Sequence, residues 1–379
     1  MNWERRIQYG AHPFAYPAIR ALARVGPVIR VPGLGVVVSD AALAHEVLGD
    51  SATYTKTGPG SSADLWTPVL GPAVLLNMEG EEHRALRRRL AGLFSASYVD
   101  RLCTRALGAP LADLTDRLRS GEPVEFVGVV QRLVGAVIAE LVGLSPDPRT
   151  VQAAYREGTA ITSMVRLGRR TLTPRQVTIA KRTLAALTAP ASVAYAAGDP
   201  ETVPGRLREL GMSEPEARGA VAALVLTGTE TLVSYLPRLV ALAHDSGWLA
   251  RLAADPSRVP AVVAEALRVT VPSPVMLRSV IAPARLGKVP VHPGDRIVIA
   301  TLSCAQAYGP FDPERPHPPQ LRRLWFGGGA HFCLGAPLAM AEINAVFAAV
   351  LAAPEVHVVE RRVARRVLIP GYARLVLRS

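Results

Sequence analysis

The chain has 379 residues, of which 49% are hydrophobic and 20% are charged, and this balance excludes a disordered or low-complexity protein. Its three cysteines, Cys103, Cys304 and Cys333, are too few for a disulfide framework and indicate a reducing compartment, or one thiolate kept for chemistry. The first residues, MNWERRIQYGAHPF, carry charge and proline where a signal peptide needs an apolar run, so we expect a cytoplasmic protein.

The basic charge of the chain comes almost entirely from arginine. Lysine and arginine number 43 against 31 acidic residues, for a net charge of +12, yet only Lys56, Lys181 and Lys288 are lysines. Such a bias is typical of a GC-rich genome, and no aromatic residues are interleaved with the basic runs, so we expect no nucleic-acid partner. The runs at 87–89 and 322–323 are candidates for docking an acidic protein.

The predicted elements begin as strands and change to helices. Residues 26–39 (GPVIRVPGLGVVVS) have Val-rich halves around a Pro-Gly-Leu-Gly turn, which predicts a hairpin. Helical patterning dominates from about 80 to 270, strands return at 282–301, and a helix over 337–352 precedes strands at 366–378. We expect the strands at the two ends to pair within one domain spanning 1–379, mainly α with a small β-rich portion.

Two long apolar stretches raise the question of a membrane span. Residues 126–144 are interrupted by three polar or charged residues, and residues 219–242 by Glu230, Pro237 and Arg238. Neither stretch has the ~18 uncharged apolar residues that a spanning helix needs. Both are predicted to be buried core helices, and we expect no membrane partner.

The most informative segment is the loop at 326–335, FGGGAHFCLG. Its glycines allow positive φ and close approach to a flat, bulky group, and Cys333 precedes a predicted helix whose N-terminus favours a thiolate and lowers its pKa. An anionic sulfur on such a loop suits the axial ligand of an iron porphyrin. Two alternatives are a glycine-rich turn with an ordinary buried cysteine, and a zinc ion held by His331 and Cys333, with Cys304 as a further ligand.

The segment FGGGAHFCLGAPLA resembles the haem-ligand signature of the cytochrome P-450 family, and the resemblance extends from the 26–39 hairpin to GYARLVL near the end of the sequence. It implies the cytochrome P-450 fold and a heme b cofactor (iron protoporphyrin IX) whose iron is bound by Cys333. Phe326, Gly327, His331 and Gly335 are carried over as cofactor-binding residues of the same loop.

Basic residues in further segments match the family's ligands for the two haem propionates. His83 and Arg87 are four residues apart, so both project from one face of a helix that is predicted to begin near Gly80. Arg278 and His331 match the remaining family positions. Buried carboxylates must be neutralised, and converging basic residues are the expected solution. Taken alone, His83 and Arg87 could equally form a solvated basic face.

Glu265 and Arg268 are three residues apart on one face of a predicted helix. As an isolated pair they are weak evidence, because surface ion pairs of this spacing are common and contribute little. In the family, such a pair and a later arginine form a buried network that supports the haem-binding core. Glu265, Arg268 and Arg315 match that pattern and are predicted to be structural.

A capping box of Ser213 and Glu216 opens the second apolar stretch, whose middle reads TGTET from residue 227. Glycine, threonines and an acid inside a helix are destabilising and need a reason. The family pattern implies that Gly228, Glu230 and Thr231 are catalytic, since small residues admit dioxygen and the acid and alcohol pass protons to it. The alternative is a polar interruption satisfied by neighbouring helices.

Substrate specificity in the family varies at places that correspond here to 58–77 and 159–170, together with Thr227, Val275 and Met276, which we expect to line the pocket. The sequence also departs from the family twice. Residues 303–306 (SCAQ) replace an Asn-Arg-Asp triplet before an unusually short connection to Arg315, and Met340 stands where arginine is common. These departures weaken the assignment of Arg315 and leave the predicted iron ligand unchanged.

The resemblance implies a haem-thiolate monooxygenase that inserts one oxygen atom from O2 into an apolar small molecule, by hydroxylation or epoxidation. Because no flavin- or nicotinamide-binding motif is found, we expect electrons from a ferredoxin and its reductase. The actinobacterial-looking composition favours the tailoring of a bacterial secondary metabolite by a monomer. Two alternatives are haem-thiolate chemistry that is peroxide-driven or non-oxygenating, and a non-catalytic haem- or ligand-binding protein.

Overall fold

A computed structural model describes residues 3–144, 147–165 and 168–379. The helices of its first half are α1 Trp3–Ala11, α2 Ala15–Val25, α3 Ala41–Gly49, α4 Ser62–Leu70, α5 Gly80–Leu90, α6 Ala96–Arg119, α7 Phe126–Leu141, α8 Pro148–Thr162 and α9 Pro174–Thr188. They are followed by α10 Ala191–Ala197, α11 Val203–Glu209, α12 Glu214–Gly228, α13 Glu230–Asp245, α14 Trp248–Ala254, α15 Val259–Thr270, α16 Thr301–Gln306 and α17 Ala336–Leu351. The fold is therefore mainly helical, as predicted.

The strands form three sheets. They are β1 Val28–Val31, β2 Gly35–Val38, β3 Tyr54–Thr55, β4 Val124–Glu125, β5 Met276–Val280, β6 Ala284–Leu286, β7 Val289–Val291, β8 Arg296–Ile299, β9 His357–Val363 and β10 Tyr372–Arg378. The largest sheet has the order β1-β2-β8-β5-β3, in which only β2 and β8 run parallel. The others are β4-β10-β9 and the pair β6-β7.

The hairpin predicted at 26–39 is confirmed, with Val28 opposite Val38 and a turn in which Gly33 has a φ of +76°. The expected pairing of strands from the two ends of the chain is wrong. Strand β2 pairs with β8 because both are apolar and buried, whereas β10 pairs with β9, which immediately precedes it, and with β4. Local connection and burial decide these partners.

The second apolar stretch forms two helical segments rather than one regular helix. The capping box of Ser213 and Glu216 opens α12 as predicted, and the regular helix pattern is interrupted at Thr229 before α13 begins. By length and composition alone, the segment from Glu214 to Asp245 could span a membrane. About two-thirds of its most apolar 18 residues are, however, buried inside the protein. This burial agrees with the predicted core helix.

A buried ion pair joins the first helix to α13. Arg238 and Glu4 have side chains that are 0% and 4% exposed, and the guanidinium also donates to the carbonyl oxygens of Thr270 and Pro370 at 3.0 and 3.2 Å. The hydroxyl of Ser234 donates to the same carbonyl of Pro370 at 2.6 Å. This clamp ties together α1, the end of α15 and the chain just before β10.

Candidate functional site

The cysteine loop connects a short helical turn at Gly329–His331 to α17. The N–H of Cys333 donates to the carbonyl oxygen of Phe326 at 2.9 Å, which closes the loop. The ring of Phe326 lies 6.2 Å from that of Phe332. Short-range contacts therefore hold Phe326 close to Cys333, just before the start of α17.

The side chain of Cys333 is exposed, although Phe326 and Leu334 of the same loop pack against the main hydrophobic core. Burial of the surrounding site raises the pKa of its thiol, against the effect of hydrogen bonds from the backbone N–H groups of Gly335 and Ala336. The expected lowering of the pKa is therefore wrong for the protein chain by itself. A bound metal cation would reverse this balance, since a coordinating thiol loses its proton.

Two of the loop's glycines are required by the backbone. Gly327 and Gly329 have φ values of +81° and +61°. A Cβ atom on Gly329 would lie 2.2 Å from the carbonyl oxygen of Leu48, whereas at Gly335 it would meet only ordinary contacts with Cys333 and Phe94. The backbone at Gly329 thus approaches another group closely, as expected, but that group is the backbone of α3 and not a cofactor.

Four predicted propionate ligands converge beside Cys333. His83 and Arg87 come from α5, Arg278 from β5, and His331 from the cysteine loop, and the rings of His83 and His331 lie 4.2 Å apart. His83 and Arg278 are buried, with exposures of 1% and 5%. The solvated face considered for His83 is therefore wrong, because its side chain points into the protein.

The structure adds Lys56 and Glu79 to this group. Glu79 accepts hydrogen bonds from Nε2 of His331 at 2.7 Å, from the N–H of Lys56 at 2.8 Å and from the hydroxyl of Thr55 at 3.2 Å. We call Lys56, His83, Arg87, Arg278 and His331 the cationic cradle. Sequence reasoning missed Lys56, although it is one of only three lysines among 43 basic residues.

The cradle carries more potential positive charge than the protein neutralises. Burial and the nearby charge of Arg278 lower the pKa of Lys56 to about 7, and burial and His331 lower that of His83 to about 4. Burial also lowers the pKa of Arg278 to about 10. Against burial, hydrogen bonds from His331 and Lys56 lower the pKa of Glu79 to about 2, so this one carboxylate is the negative charge at the cradle.

These residues fit a haem group. Nδ1 of His83 is buried and has no hydrogen-bond partner, and the cradle's surplus of cations suits a ligand that brings carboxylates. The thiol of Cys333 is near enough to Lys56 and Arg87 to influence the pKa of both, so a thiolate ligand and a dicarboxylate site face the same space. A porphyrin with two propionates carries this combination of groups.

The zinc alternative finds no support in the position of Cys304. Its Sγ lies 3.9 Å from the carbonyl oxygen of Val38 in the apolar core, where burial raises the pKa of the thiol to about 12. Across the described ranges, no group of three or more histidine, cysteine, aspartate and glutamate side chains is arranged to hold a metal ion.

The predicted structural network forms with a different third member. Arg268 donates to both oxygens of Glu265 at 2.6 Å, and both side chains are buried. Nε2 of His317 lies 2.7 Å from Oε2 of Glu265, whereas Arg315 pairs with Asp312 at 3.3 Å. The assignment of Arg315 is therefore corrected to His317, because the short connection turns Arg315 back on its own loop.

The residues predicted to act on oxygen lie where α12 meets α13. The hydroxyl of Thr231 donates to the carbonyl oxygen of Thr227 at 3.2 Å, and Thr227 itself bonds back to Ala223 at 2.8 Å. A Cβ atom at Gly228 would lie 2.7 Å from Cδ1 of Ile138, so glycine permits close packing on α7. This contact gives Gly228 a packing role that the sequence did not predict.

Glu230 turns from the start of α13 towards α8. It is 5% exposed, its Oε1 lies 2.9 Å from the hydroxyl of Thr162, and its Oε2 has no hydrogen bond of good geometry. Burial raises the pKa of Glu230, while the hydroxyls of Thr162 and Thr159 oppose that effect. The alternative was that neighbouring helices satisfy this polar interruption. It holds for only one of the two carboxylate oxygens, Oε1.

The predicted pocket residues occupy two places. Thr227 is exposed although α12 is otherwise largely covered, and Val275 and Met276 are half-buried at the start of β5. A Cβ atom on Gly327 would lie 3.8 Å from the sulfur of Met276, so β5 borders the cysteine loop. The segment 58–77 contains α4, and residues 166 and 167 of the segment 159–170 lie outside the described ranges.

Comparisons with known proteins identify the family and the fold. The family model described as Cytochrome P450 matches residues 258–374. The chain is 30% identical over 362 residues to Cytochrome P-450 monooxygenase DoxA of Streptomyces sp. (strain C5), covering 85% of this chain and 83% of that protein. It is 28% identical over 329 residues to Erythromycin C-12 hydroxylase of Saccharopolyspora erythraea, covering 78% and 76%. A solved structure of a mutant of P450 EryK in complex with erythromycin B superposes with a TM-score of 0.80 at 25% identity, covering 97% of each chain.

Proposed function

The chain belongs to the cytochrome P450 family of haem monooxygenases, and on this basis we propose that it hydroxylates or epoxidises an apolar small molecule during the tailoring of a bacterial secondary metabolite. Two of its relatives, DoxA and Erythromycin C-12 hydroxylase, are named as a monooxygenase and a hydroxylase. The reaction is RH + O2 + 2 H⁺ + 2 e⁻ → ROH + H2O for a hydroxylation. The protein must therefore bind the substrate, admit two electrons and deliver two protons.

The observation that carries the proposal is the position of Cys333 beside the cationic cradle. We assign heme b, with Cys333 as the iron ligand and the cradle as the site of its two carboxylates. When bound, the haem supplies the chemistry that activates dioxygen. Glu79 orients His331 through their 2.7 Å contact, and the N–H groups of Gly335 and Ala336 stabilise negative charge on Sγ of Cys333.

Proton delivery is assigned to Glu230 and Thr231. Glu230 is buried and its pKa is raised by that burial, so it holds a proton more tightly than an exposed glutamate and can release it during turnover. Thr231 is the next residue, and its hydroxyl both donates to Thr227 and can accept from a neighbour. Thr227, Val275 and Met276 are assigned to the substrate pocket.

P450 monooxygenases receive electrons from redox partners, and we assign a ferredoxin with its reductase. Arg89, Arg322 and Arg323 are exposed near α5 and the cysteine loop and suit an acidic protein surface. Arg87 and Arg88 contribute less than the sequence suggested, because Arg87 turns into the cradle and Arg88 pairs with Glu81 at 3.0 Å. We assign a monomer in the cytoplasm.

The first experiment tests the thiolate. The purified protein, reduced and exposed to carbon monoxide, is expected to show the strongly red-shifted Soret band of a thiolate-bound haem. Cys333→Ser should abolish that band, while Cys103→Ser, which changes a half-buried cysteine on α6, should leave it intact. Retention of the band in Cys333→Ser would overturn the assignment.

The second experiment tests the reaction. A metabolite library is screened for compounds that shift the ferric spin state, and each hit is incubated with ferredoxin, reductase and ¹⁸O2. We expect at least one hit to gain a single ¹⁸O atom. A hit that shifts the spin state and returns unchanged would favour a non-catalytic binder, and turnover only with peroxide would favour the peroxide-driven alternative.

A further inference from the structure

A small cleft, with about 30 Å³ that water molecules can occupy, lies behind Glu230, between α8, α13 and the chain that leads into β10. Its polar lining residues are Tyr155, Thr159, Glu230, Ser234 and Tyr372. The other wall includes Val367 and Ile369, which are half-buried in a segment whose neighbours at 365–366 are exposed, so the cleft lies close to the surface. Its polar lining makes it suitable for water.

The contacts of Thr162 constrain the protonation of Glu230. The hydroxyl of Thr162 lies 2.9 Å from Oε1 of Glu230 and 3.2 Å from the carbonyl oxygen of Thr159. A hydroxyl has one proton, and neither a carbonyl oxygen nor a carboxylate can donate. Both contacts are full hydrogen bonds at once only when Glu230 is a neutral acid that donates to Thr162, which then donates to the carbonyl.

The charges around the cleft also favour a neutral Glu230. Its titratable groups besides Glu230 are Tyr155 and Tyr372, and no arginine, lysine or histidine is among the described residues that line it. Two ion pairs lie behind lining residues, Arg238 with Glu4 behind Ser234 and Arg361 with Asp245 behind Tyr372, and in each the arginine is balanced by its own carboxylate. A carboxylate without a cation in such a place is unfavourable, so the neutral form is preferred.

We propose that Tyr155, Thr159 and Thr162 form a proton supply for Glu230, in which water in the cleft recharges the acid; neither a basic side chain nor Thr231 is among the described residues that line this cleft. Thr162 is a positioning residue, because it fixes Oε1. Thr159 and Tyr155 line the path to Oε2, which is buried and free of a well-formed hydrogen bond. The proposal rests on the monooxygenase function proposed above.

The steps balance without any further reactant. Glu230 gives its proton towards Thr231 during turnover and becomes a carboxylate for a short time. Water in the cleft, in exchange with solvent, then returns one proton to Oε2. Two such cycles supply the two protons that each product molecule requires, and no group in the cleft changes its redox state.

The direct test reads the proton on Glu230 rather than turnover. In infrared difference spectra of the resting holoenzyme, we expect a carboxylic-acid C=O band that Glu230→Gln abolishes. Thr162→Val should shift this band to higher frequency because the acid loses its acceptor, and Thr162→Ser should restore it. Thr159→Val and Tyr155→Phe should leave the band in place but slow its shift after transfer to D2O.

The kinetic test separates proton supply from folding. With oxygen and reductase, Thr159→Val and Tyr155→Phe should lower the coupling of electrons to product about threefold to tenfold, because each removes roughly one hydrogen bond from the path. Thr178→Val, an exposed threonine on α9, is the matched control and should change nothing. When peroxide replaces oxygen and electrons, product formation by Thr159→Val and Tyr155→Phe should come closer to that of the wild type, because peroxide carries its own protons.

The outcomes distinguish this proposal from the function on which it rests. Absence of the acid band in the resting protein overturns the neutral Glu230. Presence of the band, with deuterium exchange unchanged in Thr159→Val and Tyr155→Phe, overturns the route through the cleft. Both readings are independent of whether any substrate is oxygenated, so a failure of the proposed monooxygenase function would be recognised separately.

Discussion

The cationic cradle and the site around Glu230 bury charge in opposite ways. The cradle brings together five basic residues and one carboxylate, Glu79, whereas Glu230 is a single acid whose contacts are threonine hydroxyls. In the cradle, burial lowers the pKa of the basic groups, and at Glu230 it raises the pKa of the acid. Each site is therefore driven towards neutrality by a different route.

This difference shows what each site is suited to receive. A cluster of buried arginines cannot become neutral by losing protons, so it must be completed by an anion that stays in place. A buried acid becomes neutral simply by keeping a proton, which can later leave and return. The first arrangement favours a permanently bound group and the second favours proton transfer.

A third region shows full compensation within the chain. Glu265 is 1% exposed, and Arg268 and His317 both contact its oxygens. Against the effect of burial, these hydrogen bonds lower the pKa of Glu265. This region is balanced by partners from the chain itself and serves as the structural reference for the other two.

The largest expected effect tests Glu230. Glu230→Gln keeps the side-chain volume but cannot release a proton, so oxygen-driven product formation should fall by at least about 10²-fold, the usual contribution of a general acid. Haem content and the carbon monoxide spectrum should be unchanged. Product formation within about twofold of the wild type would show that protons reach the oxygen side by another path.

The next effect concerns the cradle. Lys56→Met removes a half-buried amino group from the cradle that we assign to the haem carboxylates, so haem should transfer to an acceptor protein about tenfold faster, the equivalent of one charge-assisted hydrogen bond. Lys181→Met is the matched control, because Lys181 is exposed on α9. Equal transfer rates in the two variants would remove Lys56 from the cradle.

At the buried Glu265 we expect a smaller effect, on the free energy of unfolding. His317→Ala removes a partner of the buried Glu265 and should lower the free energy of unfolding by about 1 kcal/mol or somewhat more. Arg315→Ala should lower it by no more than about 0.5 kcal/mol, because Arg315 contacts only its own loop. Chemical unfolding of the two variants measures the difference, and the reverse order would restore Arg315 to the network.

The smallest effect is a pH dependence. The pKa of Glu230 is higher in the folded protein than its ordinary value of 4.5, so the folded state binds the proton more tightly. Its contribution to stability is present below pH 4.5 and is lost as pH rises through the folded pKa. The thermal stability of Glu230→Gln relative to the wild type should therefore increase with pH above 4.5, and a constant difference would contradict the buried neutral acid.

Much of this site was predictable from local patterns. The cysteine loop, His83 and Arg87 on one helix face, and the interrupted helix at residues 227–231 depend on short spacings that sequence preserves. Whether these residues bind haem and catalyse the reaction stays a prediction. Lys56 was missed, and Thr162 was included only in the pocket segment 159–170, because each contributes through a contact between distant segments.

The replacement of Arg315 by His317 has the same origin. The family pattern fixes the order of residues, but the shortened connection after α16 changes which side chain reaches Glu265. The pKa of Cys333 was also mispredicted, because the effect of a helix N-terminus is visible in sequence while the burial of the whole site is not. Long-range packing decides both cases.

The clamp of Arg238 and Glu4 has a practical consequence for work with this enzyme. These residues are 234 positions apart, and through Pro370 and Ser234 they hold one wall of the cleft behind Glu230. Truncations that remove α1 are therefore expected to change the hydration of a distant acid and not only the solubility of the protein.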